Sequence, residues 1–244
     1  HIWDRNMKGI RNGEITQDSV DAELMQWIAN EITKQVLSGD GIADDSAPPE
    51  LTPEHQRQIQ VFSGFKANAE LRKATDALYG ADGDMVPWAT FKKRILQIDK
   101  AYNVHYLQAE YNLAKANRRS MDAWNDMQAH KDVSPFVEYL TVGDQRVRKI
   151  HADIDGVIKH IDDPFWDVWW PPNGWNCRCG VAPAQSDKGG KPVPPDIVPP
   201  KTMFANNVGK NGVIFPKGHP YEEQASKPVR KEVEAMATDA MEAL

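Results

Sequence analysis

The distribution of proline constrains this chain more than any other feature of its sequence. Of its 17 prolines, only Pro48, Pro49, Pro53 and Pro87 precede residue 134, and the other 13 follow it. Proline fixes the backbone φ angle and lacks the N–H that an α-helix or a central strand needs. Long helices are therefore expected in the first half, whereas the second half should consist mainly of short strands and loops.

Apolar residues at helical spacing predict two helices in the first 80 residues. The first pattern begins at Val20 and stops at Gly39, a residue type that commonly ends helices. The second follows Thr52 and Pro53, which suit the N-cap and the first turn of a helix. The acidic, proline-containing residues 40–50 between the two patterns are expected to form a linker.

The longest apolar pattern predicts a third helix. Its positions step by three or four residues without a break: Phe91, Ile95, Ile98, Tyr102, Tyr106, Ala109, Leu113, Ala116, Ser120, Trp124 and Met127. At ~1.5 Å per residue, a continuous helix of this length would extend about 55 Å. Two interpretations stay open: the core of a helical bundle, or a rod that presents one face to a partner.

The second half carries shorter patterns. Residues 136–142 and 157–161 are rich in β-branched or aromatic side chains, which favours two strands. Residues 183–200 are rich in Pro, Gly and Lys and should run extended, and residues 226–244 have the spacing of a last helix. We therefore expect an α+β protein in three parts: a helical region over residues 1–133, a small mixed domain with short strands and a Trp-rich loop over residues 134–186, and an extended Pro/Gly-rich arm with a terminal helix over residues 187–244.

Composition narrows the range of functions. The chain has 29 Lys+Arg against 35 Asp+Glu, a formal net charge of -6. This balance argues against a protein that coats nucleic acid, because that task needs a basic face that displaces counterions. No uninterrupted apolar run approaches the ~18 residues that span a bilayer, so we expect no membrane partner.

Tryptophan is concentrated in the middle of the second half. Four of the eight tryptophans fall within ten residues: Trp166, Trp169, Trp170 and Trp175. Large rings in a proline-rich segment can supply the burial that regular structure does not. The same rings are also typical of docking surfaces. We expect a compact core, with a docking surface as the alternative.

The two cysteines, Cys177 and Cys179, are separated by one residue. A disulfide over so short a span is strained, so a structural bridge is not expected. Two thiolates can instead bind zinc, which takes four ligands; His151 and His160 are the nearest imidazoles, and neighbouring aspartates such as Asp155 supply oxygen. The alternative is that both thiols are small buried apolar groups and His151 forms hydrogen bonds within the fold.

A catalytic interpretation uses some of the same residues. His151 with Asp153 and Asp155 could form the general base and the carboxylates of a metal-dependent hydrolase or nuclease, with Arg146 and Arg148 holding a phosphate. However, the sequence contains no nucleophile elbow, P-loop, dinucleotide fingerprint or H-E-x-x-H motif. We therefore do not expect an enzyme, and this hydrolase stays the alternative.

Several short strings follow one another at fixed spacing between residues 139 and 179. They are Y-L-T-V-G-D at 139–144, R-V-R at 146–148, His151, D-G at 155–156, D-D-P-F-W at 162–166 and P-P-N-G-W-N-C-R-C at 171–179. In order and spacing they resemble the phage Mu protein F-like minor head proteins, within the wider phage head morphogenesis group. Residues 101–114 and 204–221 resemble flanking parts of the same family, so the resemblance covers roughly residues 90–221.

This resemblance implies a structural minor capsid protein of a tailed phage or prophage. It implies a location in the phage head, after assembly in the host cytoplasm, and a role in head morphogenesis and in DNA packaging or delivery. The implied partners are the portal protein and other head proteins, with packaged DNA as a further contact. It implies no catalysis. Residues that could bind such partners are Arg146, Arg148 and the four clustered tryptophans, Trp166, Trp169, Trp170 and Trp175.

Overall fold

A computed structural model of the chain describes residues 2–38 and 51–243. The helices in this part of the chain are α1 (Ile2–Arg11), α2 (Ala22–Leu37), α3 (Pro53–Asp76), α4 (Trp88–Lys100), α5 (Leu107–Ala129), α6 (Lys149–Ala152), α7 (Phe165–Trp169), α8 (Val208–Asn211), α9 (Pro220–Gln224) and α10 (Lys227–Glu242). The strands are β1 (Phe136–Leu140), β2 (Ile158–His160) and β3 (Gly180–Ala184). Helices with one small antiparallel sheet confirm the α+β class.

The first two apolar patterns form α2 and α3, and the last one forms α10, as predicted. Side-chain caps fix two starts: Asp21 accepts the N–H of Leu24 before α2, and Thr52 accepts the N–H of His55 before α3. The predicted helix end at Gly39 and the predicted linker over residues 40–50 lie outside the described residues. Helix α1 was not predicted, because its buried face includes Asn6 and Gly9 and therefore lacks a continuous apolar pattern.

The long third pattern forms α4 and α5, joined by a π-helical turn over Ala101–Tyr106. Within this turn the N–H of Leu107 donates to the carbonyl of Tyr102, five residues earlier. The turn holds one residue more than an α-helical turn, so the buried face shifts by one position. Tyr106 is consequently exposed and Leu107 is buried, which corrects the predicted pattern at this point.

Two compact units divide the chain, and the division falls inside α5. One unit comprises the residues up to Tyr111 and those from Lys217 onward, and the other comprises Asn112–Pro216. The terminal helix α10 joins the first unit because it packs on α3. The boundaries expected at residues 133 and 186 do not coincide with this division and stay a prediction about independently folding domains.

Helix α3 is the centre of the first unit. Helices α1, α2, α4, α9 and α10 all pack on it, so it is buried on nearly every side. Gly64 permits the approach of α10, since a Cβ at this position would lie 2.8 Å from Cγ1 of Val233. No helix in residues 2–38 or 51–243 has both the length and the apolar composition that crossing a bilayer requires.

An ion pair is buried against α3 in this unit. The side chains of Lys66 and Glu110 are 0% and 3% exposed, and Nζ lies 2.9 Å from the carboxylate. Tyr221 donates its hydroxyl to Glu110 at 2.7 Å, and the carbonyl of Tyr102 accepts from Nζ at 2.8 Å. Nζ also lies 5.2 and 5.4 Å from the ring centroids of Tyr102 and Tyr221. The carboxylate of Glu110, the carbonyl of Tyr102 and the two tyrosine rings thus offset the free-energy cost of removing the ammonium group of Lys66 from water.

A second buried carboxyl, Glu70, lies beside this pair. Burial raises the pKa of Glu70 to about 8, against the opposing effect of Lys66. Asn103 donates to Glu70 at 2.9 Å. The core of this helical unit therefore depends on one cation facing two acidic side chains.

Removing that cation is expected to destabilise the first unit strongly. In Lys66→Met the carboxylate of Glu110 loses its counter-charge while it stays buried, so the free energy of unfolding should fall by ~3–5 kcal/mol. The matched control is Lys73→Met, an exposed lysine on the same helix, with an expected change within ~0.5 kcal/mol. Denaturant unfolding followed by circular dichroism measures both. Equal stability of the two variants would contradict a structural role for the buried pair.

The second unit contains the sheet, in the order β2-β1-β3 with both pairings antiparallel. Strands β1 and β2 confirm the two predicted strands. Strand β3 was not predicted, because Pro183 lies inside it. Proline is tolerated there because β3 is an edge strand.

Candidate functional site

The sheet brings two loops together at one end. Leu140 at the end of β1 lies opposite Gly180 at the start of β3. The residues that follow β1 and the cysteine segment that precedes β3 therefore occupy the same end of the sheet. Asn176, with a positive φ of 52°, turns the chain just before Cys177. Asparagine is among the few residues other than glycine that adopt this conformation readily.

Three of the predicted metal ligands converge at this end. His151 is buried on α6, and its Nδ1 lies 3.7 Å from Sγ of Cys177 and 3.4 Å from Sγ of Cys179. The ligand atoms all lie within 4.8 Å of one another. Both cysteines are free thiols.

The two thiols are electrostatically coupled. Their hydrogen bond lowers the pKa of Cys177 and raises that of Cys179, because the pair shares one proton; burial raises the pKa of Cys179 further. The two sulfurs are thus close neighbours in the group around His151.

The other two predicted ligands do not join this cluster. His160 is half-exposed at the end of β2, where its Nδ1 accepts the N–H of Asp162 and its ring packs edge-on against Phe136. Asp155 accepts the N–H of Thr141 at 2.7 Å and so closes the loop after β1. Each side chain is held by a neighbour that keeps it out of the group around His151.

The carboxylates required for the catalytic interpretation are also engaged elsewhere. Asp153 pairs with Lys149 at 2.8 Å, and Asp155 is held by Thr141. In the described part of the chain, the group around His151 contains two sulfurs and no carboxylate. This arrangement suits a soft metal better than a carboxylate-based hydrolase.

Three arginines near the cysteines, Arg146, Arg148 and Arg178, have different contacts. Arg178 forms two hydrogen bonds to Asp144, at 2.6 and 2.7 Å, and they hold the pKa of that carboxyl well below its usual range. Arg148 donates to the carbonyl of Trp175 at 2.5 Å. Arg146 lies 3.5 Å from Asp144 and its side chain is 81% exposed, so it is available to a partner.

The tryptophans are mainly interior groups. Trp166, Trp169 and Trp170 are buried, which favours the core interpretation over a docking surface for these three. Trp170 packs edge-on against Trp124, with ring centroids 4.8 Å apart, and donates its Nε1–H to the carbonyl of Ser120. The partly buried Trp175 packs on Leu113, Met203 and Phe204.

Comparison with known proteins identifies the region that holds these features. Residues 87–182 match the family model described as Phage Mu protein F like protein. This region is similar to the Phage Mu protein F-like family. The resemblance inferred from the sequence is thus confirmed over the segment from the start of α4 to β3.

Two curated relatives share part of the chain. Putative capsid assembly protein F of Escherichia phage Mu is 37% identical over 71 residues, which cover 29% of this chain and 16% of the relative. The Mu-like prophage FluMu F protein of Haemophilus influenzae is 44% identical over 50 residues, 20% of this chain and 12% of the relative. The matches therefore span less than a fifth of either relative. No solved structure matches this chain.

Within the Mu F-like region, Asn173 lies in one of the short strings, but its structural role was not predicted. This buried amide accepts the hydroxyl of Tyr139 at 3.1 Å and donates to the carbonyls of Val168, Trp170 and Phe204. Its position in the sequence could have indicated this role. A polar residue that lies between prolines and tryptophans is expected to have hydrogen-bond partners if it is buried. Asn207 acts similarly, donating to the carbonyl of Trp166 at 3.0 Å.

Gly209 on α8 is expected to tolerate no side chain. A Cβ there would lie 2.2 Å from both Cβ and Cγ of Trp124. Gly209→Ala should therefore displace the ring that packs on Trp170 and lower the free energy of unfolding by ~1–3 kcal/mol. Unfolding followed by tryptophan fluorescence measures this loss.

The matched control is Gly180→Ala, because no atom lies within 4 Å of a Cβ built at Gly180. Its stability should stay within ~0.5 kcal/mol of the parent chain. If Gly209→Ala were as stable as this control, the close packing of α8 on Trp124 would be disproved.

Proposed function

We propose that this chain acts in assembly of the phage head, as a structural minor capsid protein. The observation that carries the proposal is the Mu F-like match over residues 87–182, together with a relative named putative capsid assembly protein F. The packing of the region fits such a role. Its indole rings and buried amides form a fixed core, as a component that must hold its shape in a large assembly requires.

The finer proposal is docking next to the portal protein, in contact with other head proteins. The loop after β1 offers the partner surface. Val142 is exposed, and Arg146 extends its guanidinium into solvent. Apolar and arginine side chains side by side are typical of protein interfaces, and arginine suits an acidic rim.

The same proposal places the chain in the virion, with a role in DNA packaging or delivery. The formal net charge of -6 favours contact with protein over wrapping of DNA. We therefore propose a contact with packaged DNA only for the loop after β1, which carries the exposed Arg146. Assembly itself takes place in the host cytoplasm.

The alternative function, a metal-dependent hydrolase or nuclease around His151, has weaker support. Its carboxylates, Asp153 and Asp155, are engaged by Lys149 and Thr141. The names of the two relatives describe no reaction. Structural assembly is therefore the function that the geometry supports best.

Co-purification with the portal protein of the same phage or prophage tests the proposal. We expect a stable complex with a fixed number of copies per portal ring, measured by the mass of the assembled complex. Arg146→Glu should weaken the complex roughly tenfold, equivalent to ~1.4 kcal/mol, because it places an acidic group against the proposed acidic rim. The control is Lys231→Glu on α10, an exposed charge reversal of the same size outside this loop.

The outcomes distinguish docking to the portal from the broader role in head assembly. A chain that stays alone at low and moderate salt would overturn portal docking. Capture of other head proteins without the portal would keep the assembly role and remove the portal from it. Equal binding by Arg146→Glu and Lys231→Glu would exclude the loop after β1 as the interface.

A further inference from the structure

We propose that His151, Cys177 and Cys179 bind one zinc ion. Among the residues that the structure describes, one imidazole nitrogen and two sulfurs form a group without competing carboxylates, which is a ligand set that zinc prefers. The distances agree with this ion. With Zn–S bonds of ~2.3 Å and Zn–N bonds of ~2.0 Å, a tetrahedral site places sulfur and nitrogen ~3.5 Å apart. The observed separations from Nδ1 are 3.4 and 3.7 Å.

The backbone holds the three ligands in position without help from the ion. Arg178 turns its side chain away to Asp144, so the cysteines on either side of it lie on one face of the segment. The N–H of Cys177 donates to the carbonyl of Gly174, and Cys179 leads directly into β3. A site that is already formed loses little conformational entropy when the metal binds.

The surroundings suit two thiolates and leave room for a fourth ligand. A small opening beside the sulfurs is lined by Val142, Arg146, Arg148 and Asn176. The three side chains occupy three positions of a tetrahedron, and a water molecule from this opening completes it.

The ion would connect two segments of the second unit. His151 on α6 lies 26 and 28 residues before the two cysteines. The described contacts across this end also include the ion pair of Arg178 with Asp144, which is partly exposed and contributes little by itself. Zinc therefore stabilises the end of the sheet that carries the proposed partner loop, and it does so whether or not the portal is the partner.

Metal content of the intact chain, purified without chelator, tests the site. We expect close to one equivalent of zinc per chain, falling below about a tenth in Cys177→Ser and in Cys179→Ser. His160→Ala is the matched control, because it removes a half-exposed imidazole outside the cluster and should keep the zinc. Circular dichroism of each variant shows whether it is folded.

Cobalt substitution of the parent chain keeps the test decisive if the cysteine variants do not fold. Cobalt(II) bound by two thiolates and one imidazole should give a sulfur-to-metal charge-transfer band and intense visible bands of a tetrahedral ion. Excess zinc should abolish both. A weak octahedral spectrum, or no uptake of cobalt, would overturn the assignment.

Three further results would overturn it. Less than about a tenth of an equivalent of zinc, both as purified and after anaerobic reconstitution, would exclude the ion. A mass lower by two hydrogens, with no titratable thiol, would show that the cysteines form a disulfide instead. Loss of zinc from His160→Ala with the fold intact would place the site elsewhere.

Discussion

The side chain of Asn173 is the interaction on which the Mu F-like region depends most. The segment around it buries indole rings within short helices and loops, where few backbone groups find regular partners. Its one amide group accepts from Tyr139 and donates to carbonyls of three residues, Val168, Trp170 and Phe204. Asn173 therefore links strand β1, the tryptophan segment and the chain before α8 at a buried point where water cannot replace it.

The sequence predicted the elements whose signals are local. Helix α3 has its cap at Thr52, β1 has a dense run of β-branched and aromatic residues, and the proline distribution separates helical from mixed structure. Features set by tertiary contacts were not predictable in this way. The buried Lys66 looks like a surface lysine in the sequence, and the one-residue shift of the π-helical turn cannot be read from the spacing of apolar residues.

The same contrast between local sequence signals and tertiary contacts applies to the candidate site. His151 and the two cysteines were predicted as ligands because their residue types are restrictive, and the structure brings these three together. His160 and Asp155 were included on proximity in the sequence, which carries no information about direction. Local hydrogen bonds to Asp162 and Thr141 decide where those side chains point. The tryptophans were ambiguous because burial and docking use the same residue type, and only the packing of Trp166 and Trp170 separates the two roles.

The residues of the Mu F-like segment hold a fixed fold, as the proposed assembly role requires. The most direct test is the free energy of unfolding of Asn173→Ala, measured by denaturant titration and compared with Asn112→Ala, an exposed asparagine on α5. We expect a loss of about 3 kcal/mol or more for Asn173→Ala, since several buried groups lose their partners, and a change within ~0.5 kcal/mol for the control. Equal stability of the two variants would contradict it.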